Sequence, residues 1–113
     1  MTTTPAVVIS FKDIETDEDV RDEIEKRCRQ LAETFPETTK FEITLEPDGA
    51  GHTAHGHVTG RATEVVTHAA GMEVGQAADR LLDKLARRLR RVHDKKIFNH
   101  RRNAQRTSPK SQS

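Results

Sequence analysis

From Arg80 to Lys95 the chain carries Arg80, Lys84, Arg87, Arg88, Arg90, Arg91 and Lys95, interrupted only by Asp83 and Asp94. Fixed positive charge at this density reads either as a solvated helix with a charged tail or as a surface that neutralises phosphates on a polyanion, and its confinement to one arc of a helix favours the second. Arginine outnumbers lysine in the run, as planar bidentate contacts to phosphate favour. A second constellation is His52-x-x-His55-x-His57, with His68 further along. On a strand His55 and His57 point the same way and two imidazoles could share an ion, but no fixed carboxylate or cysteine completes a recognisable site. The histidines therefore read first as the polar side of an open sheet, then as imidazoles that touch a polyanion more strongly when protonated, and only last as metal ligands. No metal and no cofactor is expected. Cys28, the single cysteine, excludes an internal disulfide and falls on an apolar stripe, so it reads as a buried thiol. There is no Gly-rich phosphate loop, no serine in a nucleophile elbow and no base for Cys28, and the many carboxylates lie on solvated helix faces. An enzyme is not expected.

The formal net charge of +1 conceals an uneven division. Residues 1–79 hold seven Lys/Arg and sixteen Asp/Glu, net −9, whereas residues 80–106 hold eleven and two, net +9. An acidic body with a basic end repels polyanions on one side and attracts them on the other, so the charge orients docking as well as favouring it. With 113 residues, 33% of them hydrophobic and neither Trp nor Tyr among them, the chain fits one domain with a thin aliphatic core. It has no apolar run of about eighteen residues to span a bilayer. Met1 to Pro5 lacks the charged and apolar regions of a signal peptide. The expectation is a cytoplasmic protein with no membrane contact.

The elements that must position these residues follow from periodicity. Val7, Ile9 and Phe11 share one face of a first strand over Ala6–Phe11. Thr16 and Asp17 offer an N-cap, Glu18 and Asp19 favour the first turn, and Val20, Ile24, Cys28, Leu31 and Phe35 form the stripe of an amphipathic helix that Pro36 stops. Phe41, Ile43 and Leu45 alternate with Glu42, Thr44 and Glu46 in a second strand. Pro47 to Gly51 is a turn, and His52–Gly60 and Ala62–Ala70 read as two further strands around Gly60-Arg61. Ala54, Gly56 and Val58 are the core side of the third strand, and Thr53, His55, His57 and Thr59 the other. From about Glu73 the helical period returns, with Ala78, Leu81, Leu82, Leu85, Leu89 and Val92 inward. Arg80, Lys84, Arg87, Arg88, Arg91 and Lys95 occupy an adjacent and opposite arc, and Asp79, Asp83 and Asp94 gather at its far edge. Asn99 to Ser113 is too polar to pack and is expected to be a disordered basic tail.

The predicted fold is thus α+β in the order β-α-β-β-β-α: a four-stranded sheet with both helices on one face and the other face open, residues 1–98 forming the domain and 99–113 the tail. Strands two to four form an antiparallel meander, with strand one in the same sheet. In general shape this resembles double-stranded RNA-binding domains.

Two segments carry a closer resemblance. Ala78-Asp79-Arg80-Leu81-Leu82-Asp83-Lys84-Leu85-Ala86-Arg87-Arg88-Leu89 resembles the pattern (I/A)DxLIDKLxRQL, and Val20-Arg21 followed by Ile24, Arg27, Leu31 and Phe35 resembles LRxxVxxKxxxLxxxF. Both patterns are those of the ribosome hibernation promoting factor family, which includes the ribosome-associated inhibitor A and the proteins once called sigma-54 modulators. The likeness covers about Ala6 to Lys96. The chain departs from the family in a short loop at Asp48–Gly51, two extra residues near Gly60, Gly75 in place of an aromatic and Gln30 in place of a lysine. It resembles the short, single-domain form, without the C-terminal extension through which long members pair two ribosomes.

The resemblance implies a protein that binds small-subunit ribosomal RNA near the decoding centre and occludes the messenger and transfer RNA channel, with no chemical step. Carried over by position, the RNA contacts are Lys84, Arg87, Arg88, Arg91 and Lys95, with Arg27 from the first helix; Arg80 and Arg90 join them on charge alone. The tail, through Arg101, Arg102, Arg106 and Lys110, would extend along RNA. Off the ribosome a monomer is expected. The alternative is a protein-binding regulator, such as a transcription modulator, suggested by the older family name and the acidic first helix.

Overall fold

The computed structural model describes residues 4–106, with side chains up to Lys95. The elements are β1 (Ala6–Phe11), α1 (Glu18–Thr34), β2 (Thr38–Asp48), β3 (Gly51–Gly60), β4 (Thr63–Gly71) and α2 (Val74–Arg106). The α+β order expected from periodicity is the order observed, in one sheet arranged β1-β2-β3-β4. β2, β3 and β4 form the antiparallel meander, while β1 pairs with β2 in parallel, Ile9 opposite Ile43. Parallel pairing requires a crossover, and α1 supplies it.

α1 begins where Asp17 accepts a hydrogen bond from the Val20 amide at 3.2 Å and ends where the Phe35 amide donates to the Leu31 carbonyl. Thr38 then donates its hydroxyl to the Phe35 carbonyl at 2.7 Å, turning the chain straight into β2. The strands run longer than the side-chain alternation alone indicated: Pro47 and Asp48 are still paired with His52 and Gly51, so the hairpin closes through Gly49 and Ala50 alone. Gly49 takes φ +61°, the left-handed region that a residue without Cβ enters at no steric cost.

α2 lies over β3 and β4 and α1 over β1, and the two helices touch each other on the same side of the sheet. The core is aliphatic with two buried phenylalanines. Leu81, Leu82, Leu85 and Leu89 of α2, Ile24 and Cys28 of α1, and Phe41, Ile43, Leu45, Ala54 and Val58 of the sheet are all at most 1% exposed. Gly56 is where α2 comes closest. A Cβ there would sit 3.1 Å from Leu85 and 3.2 Å from Leu81, so the absence of a side chain sets the helix-to-sheet distance. Thr53 faces away from the core yet is 7% exposed, because its hydroxyl donates to Asp48 at 2.8 Å and lies under that side chain.

One expectation needs correcting. α2 does not end near Phe98: its backbone is helical through Arg106. The residues beyond Phe98 include no proline or glycine before Pro109, and extending an existing helix fixes one residue per added hydrogen bond, which polar helix-tolerant residues permit without burial. The rest of the tail lies outside the described residues, as do the side chains of Arg101, Arg102 and Arg106. No described helix is long and apolar enough to cross a membrane.

Burial pushes the Cys28 thiol up from 9.0 to about 12, since the thiolate would lose its hydration among apolar neighbours. Because the folded value is the higher one, the stability contributed by the protonated thiol is fully present below pH 9 and is lost as pH rises towards 12. A Cys28→Ala variant should therefore lose less stability than the parent between pH 9 and 11 in urea titrations. Parallel losses in the two proteins would show that Cys28 ionises freely.

Candidate nucleic-acid interface

α2 arises from the sequence as a helix with two charged flanks on either side of its leucine stripe. Spacings of three and four residues place Arg80, Lys84, Arg87, Arg88, Arg91 and Lys95 together along one flank and Asp79, Asp83 and Asp94 along the other. The basic flank overhangs the outer edge of β4. Arg80 Nη1 donates to the Ala70 carbonyl and Lys84 Nζ to the His68 carbonyl, both at 2.9 Å. These contacts cap an edge strand that would otherwise offer its carbonyls to another chain. They also hold the near end of the basic row against the sheet. Arg87, Arg88, Arg91 and Lys95 continue the row exposed, and none of them forms an ion pair with a described residue. From Lys84 to Lys95 the row extends roughly 16 Å along the helix axis.

Two of the eight sequence-predicted contacts stand elsewhere. Arg27 points from α1 to the acidic flank of α2, 2.9 Å from Asp83 and 3.7 Å from Asp79, and its side chain is 25% exposed. It fastens the two helices together. Arg90 lies with its guanidinium 5.3 Å from the ring centroid of Phe35, away from the basic row. That ring is also met edge-on by His93 at 5.6 Å, and His93 Nδ1 lies 3.2 Å from Glu37. Phe35, Glu37, Arg90 and His93 thus join the end of α1 to the middle of α2. Nothing in the spacing of either helix announces this cluster.

The open sheet face carries His55, His57 and His68, while His52 falls on the helix-side parity of Ala54, Gly56 and Val58. His55 Nε2 is 2.7 Å from Glu46, and His57 sits between Glu42 at 3.3 Å and Glu64 at 2.8 Å. His52 turns instead to the Met72 carbonyl at 2.9 Å, leaving the other two. The His55 and His68 rings are 6.0 Å apart. Among the described residues no group of three or more His, Cys, Asp or Glu is placed to hold a metal ion. With Glu42, Glu46 and Glu64 among the imidazoles, this face is acidic whenever the histidines are neutral. The basic row at the edge of β4 carries the opposite sign of charge.

The fold recurs in known structures. A ribosomal subunit interface protein from Coxiella burnetii superposes with a TM-score of 0.72 at 13% identity, over 79% of this chain and 98% of that one. The N-terminal domain of Thermus thermophilus Protein Y superposes with a TM-score of 0.68 at 19% identity, over 78% of this chain and 98% of that one. No curated protein matches by sequence. A family model matches residues 7–97, from the first strand to beyond the basic row, and the chain belongs to that family, the sigma 54 modulation protein / S30EA ribosomal protein family.

Proposed function

We propose that the protein docks on the small ribosomal subunit through the basic flank of α2, contacts ribosomal RNA near the decoding centre and keeps messenger and transfer RNA out. The observation that carries this reading is the row Arg87, Arg88, Arg91 and Lys95, exposed on one flank of a helix whose other side is buried, and unpaired among the described residues. Side chains held ready but without acidic partners need not break internal ion pairs to meet phosphates. Arg80 and Lys84 can share a phosphate without leaving their carbonyls, since each retains unused donors. Family membership supports the ribosome as the partner, and the similar fold of the ribosomal subunit interface protein from Coxiella burnetii points to the same particle. The protein acts by occupancy, and no bond is made or broken.

If about five phosphates are neutralised, log affinity for ribosomes falls with log salt at a slope of about −3.5 to −4.5. Co-sedimentation over a salt series measures this. A slope near zero would mean that the contact is not made through fixed charge, and the proposal would fail.

A further inference from the structure

Opposite the basic row, where the first turns of the two helices meet, α1 and α2 leave a hollow of about 180 Å³ lined by Asp19, Val20, Glu23, Gly75, Ala78 and Asp79. Its floor is apolar, made by Val20, Ala78 and the bare backbone of Gly75, and its rim carries three carboxylates. Gly75 is what leaves it open. A Cβ on Gly75 would meet only Val20, at 3.5 Å, so the space is not one that the fold needs empty.

Size and charge together select an occupant. An apolar cavity of about 150 Å³ admits a benzene ring, so the hollow accommodates one aromatic side chain. Asp79 is partly satisfied by Arg27 at 3.7 Å, whereas Asp19 and Glu23 make no ion pair with a described residue. An RNA phosphate would meet this rim as a like charge. We propose that the hollow is a docking site for a basic protein segment, which inserts one aromatic side chain between the helices and sets flanking lysine or arginine residues against Asp19 and Glu23. The basic flank and the acidic hollow lie on different sides of α2, so RNA and such a segment can be held at once. This inference does not depend on the ribosomal reading.

The test uses the full chain labelled with ¹⁵N and titrated with the peptide acetyl-Lys-Lys-Phe-Lys-Lys-amide. The expected result is a set of amide shifts confined to the lining residues Asp19, Val20, Glu23, Gly75, Ala78 and Asp79, and affinity at least about fivefold weaker when alanine replaces the peptide's aromatic residue. A Gly75→Phe variant, which fills the hollow with the chain's own ring, is expected to keep the remaining spectrum and lose these shifts. Glu23→Lys on its own should weaken binding comparably without filling anything. Equal affinity for the two peptides, or shifts located elsewhere, would overturn the proposal. So would shifts at the hollow that grow with protein concentration alone, which would assign it to a second copy, or shifts there on adding an RNA hairpin.

Discussion

Changing Lys84, Arg87, Arg88 and Arg91 together to glutamate is expected to lower affinity for ribosomes by at least about a hundredfold and leave the fold in place. The first half follows from electrostatics: four potential phosphate contacts become four repulsions, and losses of about 1 kcal/mol at each position already exceed two decades in affinity. The second half follows from the structure. Arg87, Arg88 and Arg91 have no ionic partner among the described residues, so little inside the domain changes with them. Only Lys84 gives up an internal contact, its hydrogen bond to the His68 carbonyl, worth about 1 kcal/mol at an exposed site. Co-sedimentation at low salt reports the affinity, and circular dichroism the fold. A folded variant that still pelleted like the parent would remove the basic row from the interface.

The largest effect on stability is expected at Leu85. Its side chain is fully buried, and its Cδ1 lies against the backbone of Gly56, where no side chain can swing in to refill the space. Leu85→Ala should cost about 3–5 kcal/mol, the upper part of the range for such truncations, because neither a rigid strand nor a helix can close the gap. In a domain with typical stability of about 5–15 kcal/mol this leaves a marginal or unfolded protein. Urea unfolding decides the matter. A loss under about 1 kcal/mol would mean that α2 is not seated on β3 as described.

Much of this architecture was legible from residue spacing, for a physical reason. Phe41, Ile43 and Leu45 in β2, and the leucines of α2, sit on surfaces buried on one side only, so their periods of two and of three to four appear directly in the sequence. Gly56 with Ala54 and Val58 marked the inner face of β3 in the same way. Information held in contacts between elements was not legible. Arg27, placed among the RNA contacts by resemblance, is bound to Asp83, 56 residues later in the chain. Arg90 had the charge of its neighbours but sits where α2 passes over Phe35. The length of α2 was underestimated because continuation of a solvated helix needs no apolar stripe, only the absence of breakers. For the candidate site, the row from Arg80 to Lys95 emerged from helical spacing alone. Its seat against the edge of β4, through Arg80 and Lys84, did not.

If one side of the molecule faces small-subunit RNA, tethered hydroxyl-radical probing will distinguish it from the other. Cys28 is fully buried with its thiol pushed up to about 12, so a surface cysteine can be labelled selectively with an iron chelate. One probe at Ala70→Cys sits beside the basic row, and a second at Asp22→Cys sits on exposed α1 away from it. Ribosomal RNA cleavage is expected around the decoding centre from position 70, with weak or no cleavage there from position 22. Equal cleavage from both positions, stronger cleavage from position 22, or none from either on ribosomes that carry the protein, would contradict the proposed docking.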